Sequence, residues 1–297
     1  MITINEYLDW ILSDFEEYLR SNPHLCQLKD VHYDGGRVPD YSDIHIQQLY
    51  LLRYAYAYAF EYKVMYKHLP KYMHNRAKLS ITSLGCGNMI DYWAIAQVVG
   101  SQTALLYKGY DSIDWSYKFS ARNGDSVLFT LGDAILAIED LAFLSSDIII
   151  FPKSISEFSH DAIDRFCECI RSKTILKDRI CILISLRADQ GSTLRDVQKT
   201  KKIYDAFLDA GFSTDSRHDV ATHLSFPDRK IREIDVSFEH PGAVVDLLPK
   251  LNTQCAEYME NGQNCYVNCV SRLSRWPMLS CKHMQWQMFE FERKVVF

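Results

Sequence analysis

The sequence predicts an α/β protein with a doubly wound, mostly parallel sheet, an antiparallel final strand and an N-terminal helical cover. Near-continuous apolar runs, most of them separated by segments that can form helices, indicate strands buried on both faces of a parallel sheet. The tail at 284–294 instead alternates apolar and polar residues, which is typical of an antiparallel strand. The parallel strands are predicted at 81–84, 104–110, 126–131, 147–151 and 179–186.

The region before the first strand, residues 1–78, is predicted to form the helical cover. Apolar residues recur at spacings of three and four over 4–21, which indicates an amphipathic helix. A second helix, rich in tyrosine, is predicted over 42–69. Tyr54 and Tyr58 lie on one face of it, so they either pack inside the protein or form part of a lid over a ligand.

A glycine turn follows the first predicted strand, because Gly85, Cys86 and Gly87 come directly after its apolar run. Glycine lets the backbone turn sharply and lets a ligand approach closely. The helix predicted next, over 91–99, adds free N–H groups and the positive end of its dipole. Asp91 lies in the first turn of that helix, where an acid either stabilises the dipole or contacts a ligand.

Polar residues also follow the next three predicted strands. Asp111 follows the second strand, Asp133 the third, and Pro152, Lys153 and Ser154 the fourth. The carboxyl ends of parallel strands meet at one edge of the sheet, outside which ligands bind. The sequence therefore predicts that these residues gather with the glycine turn along one edge.

The stretches SLGCG, GYD, LGD and DIIIFPKS resemble, in this order, motifs I to IV of the class I S-adenosylmethionine-dependent methyltransferases. The resemblance covers roughly residues 79–190 and implies a Rossmann-like sheet with S-adenosylmethionine (SAM) as the cofactor. The residues that it assigns to the cofactor are Gly85, Cys86, Gly87, Asp91, Asp111, Trp115, Asp133, Ala134 and Pro152.

The resemblance also implies a role for each strand exit. Asp111 would accept hydrogen bonds from the ribose hydroxyls, since a carboxylate can accept two at once, and Asp114 is the alternative partner. Asp133 would accept from the adenine amino group with Ala134 beside it, and Trp115 would flank the adenine ring.

Four departures from known motifs bear on the predicted function. Ser83 stands where the family often has an acid, and Met89 where it often has a third glycine. Ile90 occupies the last position of a G-x-G-x-x-G fingerprint, which argues against a nicotinamide-dependent dehydrogenase. The fourth strand's exit carries no acid or amide, which argues against methylation of the amino groups of bases.

Lys153 and Glu157 are the candidate catalytic residues. Lys153 could orient an acidic group of the acceptor or deprotonate a hydroxyl. Alternatively, the two residues form a surface ion pair at i and i+4. Ser154 is assigned to the acceptor or the lid, together with Tyr54 and Tyr58.

The net charge of −5 gives no general attraction to nucleic acid or to anionic membranes. A local basic cluster of Lys199, Lys201 and Lys202 is interpreted as solvated surface, with RNA binding as the alternative. No leader and no apolar run of about 18 residues is visible, so we predict no membrane span and a cytoplasmic location.

The nine cysteines are expected to be reduced thiols in that compartment. Their spacing does not match the usual metal-binding knuckles, so scattered thiols are favoured and no metal is predicted. The alternative, a metal site, would draw on Cys255, Cys265, Cys269 and Cys281.

The main domain is predicted over 79–297, with an insertion at about 227–283 that includes a helix over 242–260. The predicted function is SAM-dependent methyl transfer to an unidentified small molecule, RNA or protein. Such a reaction is an in-line displacement that depends mainly on alignment. The alternative is a catalytically inactive methyltransferase-like protein that acts by binding a partner or nucleic acid.

Overall fold

The computed structural model describes residues 1–31, 39–186, 190–216, 232–260, 265 and 271–294. Cys269 and the start of the predicted insertion at residue 227 lie outside the described residues. Short 3-10 helices span Cys26–Val31 and Leu248–Gln254. The α-helices include α1 (Ile4–Ser21), α2 (Ile44–Lys67), α3 (Lys71–His74), α4 (Ile90–Val99), α5 (Ala134–Glu139), α6 (His160–Ser172), α7 (Gln190–Asp209) and α8 (Gly242–Leu247).

One large sheet dominates the strands. They include β1 (Lys78–Leu84), β2 (Ala104–Asp111), β3 (Ser126–Leu131), β4 (Phe143–Leu144), β5 (Ile148–Pro152), β6 (Thr174–Ile175), β7 (Arg179–Leu186), β8 (Phe212–Ser213), β9 (Arg232–Ser237) and β10 (Ser280–Arg293). The large sheet has the order β3-β2-β1-β5-β7-β10-β8, with β9 paired to β10, while β4 and β6 form a separate pair.

The strand directions confirm the predicted fold class. Strands β3, β2, β1, β5 and β7 are parallel to one another, and β10 is antiparallel to both β7 and β8. Every residue of β5 is buried, as expected for a central parallel strand. In β10, Phe289 and Phe291 are buried whereas Glu290 between them is partly exposed, so the alternation of the tail does reflect an antiparallel strand.

The chain divides into two compact units, and the boundary within α2 falls between Phe60 and Glu61. The first unit comprises Met1–Phe60, Ile113–Lys118 and Asp235–Cys281. The second comprises Glu61–Ser112, Phe119–Ile234 and Lys282–Phe297, and therefore contains β1, β2, β3, β5 and β7.

The core of the second unit is formed by the sheet and by the apolar faces of α6 and α7. Ser159 caps α6 by accepting from the Ala162 amide, which satisfies one of the free N–H groups at the start of the helix. Phe166 of α6 and Phe207 of α7 are fully buried. The ring of Phe207 stacks on Phe291 of β10 with 4.7 Å between centroids, so the last strand and α7 share one core.

The prediction of one helix over 242–260 is wrong. Helix α8 ends at Leu247, and a 3-10 helix with Pro249 in its first turn follows it. Proline has no N–H for the helical ladder, and its ring clashes with the carbonyl four residues earlier, so an α-helix cannot continue through it.

Candidate functional site

The glycine turn is attached to the end of the neighbouring strand. β1 ends at Leu84, opposite Tyr110 of β2, and the next two amides, of Gly85 and Cys86, both donate to the Tyr110 carbonyl at 2.8 and 3.1 Å. Gly85 and Gly87 have φ values of 72° and 54°, which residues with a Cβ atom adopt only at a steric cost. The turn thus has the backbone that its two glycines predict.

Asp111 binds the other end of this turn, at Gly87. It is the last residue of β2, it is half-buried, and its Oδ2 accepts a hydrogen bond of 2.7 Å from the Gly87 amide. A charge-assisted bond of this kind is stronger than one between neutral groups. The structure therefore brings Asp111 and the glycine turn together, as the sequence predicts.

The exit of β5 packs against the other side of the turn. Ser154 is buried, and its hydroxyl donates to the carbonyl of Leu84 at 2.5 Å. A Cβ added to Gly85 would lie 2.4 Å from the Cβ of Ser154, far closer than two carbon atoms can approach. The position requires glycine because of this contact as well as its φ value.

Cys86 points into the protein from the same turn. A Cβ added to Gly109 of β2 would lie 2.7 Å from the Cys86 Sγ, so the glycine leaves the space that the thiol fills. Burial raises the pKa of Cys86 well above its usual value. The residue is a neutral packing group inside the turn.

Backbone strain is concentrated at this edge of the sheet. Among the described residues, the non-glycine residues with positive φ are Met89, at 64°, and Lys153, at 57°. Met89 precedes α4 after the glycine turn, and Lys153 directly follows β5. Strained backbone persists where surrounding contacts hold it, and it is frequent at binding and catalytic sites.

Asp133, at the exit of β3, has a local structural role. Its Oδ1 accepts from the amides of Ile135 and Leu136 at 2.7 and 3.1 Å, which caps α5. The carboxylate is exposed, and Ala134 beside it is buried. The adenine contact that the resemblance implies for both residues stays a prediction.

Lys153 forms an ion pair, but with a partner that the sequence did not indicate. Its Nζ lies 2.9 Å from Glu61 Oε2 and donates to the Leu186 carbonyl at 3.3 Å. The other Glu61 oxygen accepts from the Ser185 hydroxyl at 2.7 Å. Glu157, the expected i+4 partner, is exposed, and its amide donates to the Ser154 carbonyl.

Glu61 is absent from the predicted site residues, although the sequence carries a signal for it. It interrupts an otherwise apolar part of α2, and only 3% of the surface of the whole residue is exposed. A buried carboxylate must find a partner because an isolated charge is costly to bury. That partner cannot be identified without the fold, since Lys153 and Ser185 are distant in the chain.

Asp91 is fully buried below the turn. The hydroxyl of Tyr107 on β2 donates to both of its oxygens, at 2.8 and 2.9 Å. Burial raises the pKa of Asp91 to about 6, although these hydrogen bonds partly oppose the shift. The cofactor contact expected of Asp91 stays a prediction.

We expect Asp91→Asn to stabilise the protein at pH 8. A carboxyl whose pKa is higher in the folded chain loses stability as the pH rises from about 4 through about 6, because the unfolded chain ionises first. Above that window the cost of the buried charge is about 3 kcal/mol. Urea unfolding of the natural protein and of Asp91→Asn at pH 4.5 and pH 8 measures the difference in their free energy of unfolding. If Asp91→Asn were less stable than the natural protein at pH 8, this account would be contradicted.

The aromatic residues assigned to the lid or to the adenine ring form one cluster within the first unit. Tyr54 and Tyr58 stack with 6.1 Å between centroids, and Trp115 lies 5.8 Å from Tyr50 and 5.1 Å from Tyr41. The three tyrosines on α2 are half-buried, and Trp115 is buried. The packing interpretation accounts for these contacts, and the lid and adenine roles stay predictions.

The basic cluster is not uniform. Lys199 is 5% exposed, and its Nζ donates to a backbone carbonyl of the loop after β5 at 3.0 Å, so its interpretation as solvated surface is wrong. The long side chain reaches carbonyls that would otherwise lack donors. Lys201 and Lys202 lie nearer the surface and pair with Asp205 and Asp164.

Two kinds of feature are absent from the described ranges. Within them, no group of three or more histidine, cysteine, aspartate or glutamate side chains is arranged to hold a metal ion. In the same part of the chain, no helix is long and apolar enough to cross a membrane.

No protein-family model and no curated protein matches the chain. Solved structures do match it. The plantazolicin methyltransferase BpumL, solved in complex with SAH, is 13% identical with a TM-score of 0.33, over 94% of this chain and 99% of that one. A SAM-dependent methyltransferase from Archaeoglobus fulgidus is 12% identical with a TM-score of 0.38, over 80% of this chain and 100% of that one.

MNMC2 from Aquifex aeolicus is also 12% identical, with a TM-score of 0.36, and the match covers 54% of this chain and 56% of that one. This chain therefore spans little more than half the length of that protein. The similarity to these three structures is too low to support a conclusion about this chain, so its fold is read from its own strand order. The order β3-β2-β1-β5-β7-β10-β8, with its antiparallel β10, is that of a Rossmann-like sheet, and the resemblance from the motifs is confirmed as one of fold.

Proposed function

We propose that the protein is a SAM-dependent methyltransferase with an acceptor still to be identified. The observation that carries the proposal is the half-buried carboxylate of Asp111, held by the Gly87 amide at the end of β2. A carboxylate beside a glycine turn at the carboxyl edge of a parallel sheet suits a ligand that has a vicinal diol.

The residues present fit that cofactor. The backbone of the turn would pass its amino-acid end, Asp111 would accept from the ribose hydroxyls, and Asp133 with Ala134 would lie at the adenine. When bound, the cofactor supplies an electrophilic methyl group on a positively charged sulfur. The chain's own contribution is alignment, since Gly85 and Asp111 are each fixed by a neighbouring strand.

Calorimetric titration with SAM tests the proposal. We expect Asp111→Ala to bind about 100-fold more weakly than the natural protein, because two charge-assisted bonds and the support of the Gly87 amide are lost together. Asp111→Asn keeps one acceptor oxygen, so its affinity for SAM is expected to lie between those of the natural protein and Asp111→Ala. Thermal unfolding of each variant shows whether a loss of binding reflects a loss of folding.

Asp114→Ala is the matched control, because Asp114 is the other carboxylate that follows β2. Its side chain is 70% exposed and pairs with Lys118 at 2.6 Å, so we expect the variant to bind normally. If Asp114→Ala abolished binding and Asp111→Ala did not, the ribose assignment would move to Asp114. Absence of binding to the natural protein would overturn the proposed function.

One observation favours the alternative of an inactive methyltransferase-like protein. Lys153, the candidate base at the exit of β5, is already engaged by Glu61. An inactive protein could bind SAM and serve a partner. Transfer of a labelled methyl group to any member of a panel of small metabolites, RNA and proteins would exclude this alternative.

A further inference from the structure

We propose that Glu61, Lys153 and Ser185 form a positioning network that holds the exit of β5 against the glycine turn. Through Lys153 and Ser154, Glu61 determines the shape of the glycine turn, as a positioning residue and not a catalytic one. The inference rests on the proposed function for its binding measurement, whereas its hydrogen-exchange measurement is independent of any ligand.

The network lies at the carboxyl ends of β5 and β7. Ser185 and Leu186 end β7, Lys153 follows β5, and the two strands are parallel neighbours. Glu61 accepts from Ser185 and pairs with Lys153, while the Lys153 ammonium also donates to the Leu186 carbonyl. One carboxylate therefore joins the carboxyl ends of two central strands.

Both charges of the network are largely buried. The side chains of Glu61 and Lys153 are 5% and 19% exposed. Two apolar residues of similar volume would hold such a site at least as stably, because a buried ion pair regains little more than its desolvation costs. What a fixed pair adds is a defined direction for the lysine side chain, since the ammonium must meet both Glu61 and Leu186.

The backbone at Lys153 is strained. A φ of 57° is unfavourable for lysine, and the backbone would relax if the side chain were free to move. The pair with Glu61 anchors the far end of the side chain and so retains the strained turn. Removing the charge on Glu61 weakens that anchor, because the Lys153 ammonium then keeps hydrogen bonds such as the one to the Leu186 carbonyl but loses its ion pair.

The backbone after Lys153 also contacts the glycine turn. Ser154, the next residue, donates to the Leu84 carbonyl and occupies the space where a Gly85 Cβ would lie. With so little clearance, a shift of the β5 exit changes the path of the glycine turn. Contacts therefore run without a gap from Glu61 through Lys153 and Ser154 to Gly85.

Glu61→Gln is the test, because glutamine keeps the shape of the side chain and an acceptor for Ser185 but loses the charge. In the protein without ligand, we expect faster hydrogen exchange in the peptides that cover 84–89 and 153–158. In calorimetry with SAM, we expect about tenfold weaker binding, as for a small misplacement of binding groups.

Glu292→Gln is the matched control. Glu292 pairs with Arg179 at 2.7 Å, at the opposite end of β7, and both side chains are largely solvated. The same change of carboxylate to amide should therefore leave exchange at the turn and SAM affinity unchanged. Ser185→Ala keeps the ion pair, so we expect a smaller increase in hydrogen exchange at 84–89 and 153–158. If Glu61→Gln does not fold, the exchange of Ser185→Ala tests the positioning role instead.

Unchanged exchange at 84–89 in Glu61→Gln would overturn the inference. A lower melting temperature with unchanged exchange and affinity would overturn it too, since Glu61 would then only stabilise the fold. If the natural protein does not bind SAM, the proposed function fails, but the exchange experiment still supports or overturns the positioning role.

Discussion

Gly85→Ala is expected to destabilise the protein by about 3 kcal/mol or more and to abolish SAM binding. Alanine at a φ of 72° has an unfavourable backbone conformation, which costs about 1 kcal/mol. Its methyl group would also lie 2.4 Å from the Cβ of Ser154, so β1 and the exit of β5 would have to separate. Urea unfolding and calorimetric titration with SAM measure the two effects.

Gly211→Ala separates the strain from the overlap. Gly211 follows α7 with a φ of 86°, and a Cβ there would meet no atom within 4 Å. We therefore expect this variant to lose only about 1 kcal/mol of stability and to bind SAM normally. Equal losses in the two variants would mean that Ser154 can move away from an added methyl group at little cost.

The second large effect is expected at the opposite edge of the sheet, where Asp147→Asn should cost about 3 kcal/mol. The Asp147 side chain is 2% exposed and precedes β5. Its Oδ2 accepts from the Ser80 amide and hydroxyl at 2.8 and 2.6 Å, and its other oxygen meets Lys177 at 2.9 Å and Arg76. The amide variant would leave two cations beside a neutral group.

The pH dependence of this effect is opposite to that of Asp91. Burial alone would raise the pKa of Asp147, but the hydrogen bonds from Ser80 and Lys177 outweigh it and lower the pKa. The stabilisation is therefore complete above the unfolded pKa of about 4 and is lost as the pH falls through the folded value.

Urea unfolding of the natural protein and of Asp147→Asn between pH 2.5 and pH 7 measures this dependence. Their difference should be largest near neutrality and shrink in acid. Asp178→Asn is the control, because its pair with Arg293 is exposed and should contribute almost nothing. A constant difference across the range would show that the carboxylate charge does not contribute.

The features that depend on short stretches of chain could be predicted from the sequence. The run 148–151 is apolar throughout because its strand is covered on both faces, so the presence of a buried parallel strand there follows from the sequence pattern. The meeting of Asp111 with Gly87 follows from the rule that parallel strands end at one edge.

The features that depend on contacts between distant residues could not be predicted. Lys153 has Glu157 within reach in sequence, yet it pairs with Glu61, since only the fold brings α2 to the ends of β5 and β7. Lys199 looks like its neighbours Lys201 and Lys202 in the sequence, but its position on α7 directs it into the protein. Local patterns do not record which carbonyls such a side chain will meet.

The position of β10 has a consequence for how the chain is made. β10 lies between β7 and β8, although it is synthesised after both of them. Until residues 280–293 leave the ribosome, the edge of β7 has no partner on that side, and only the first residue of RICILISL carries a charge. An uncharged apolar edge of this kind associates readily with other chains, so β7 is open to such association until β10 has been synthesised and has paired with it.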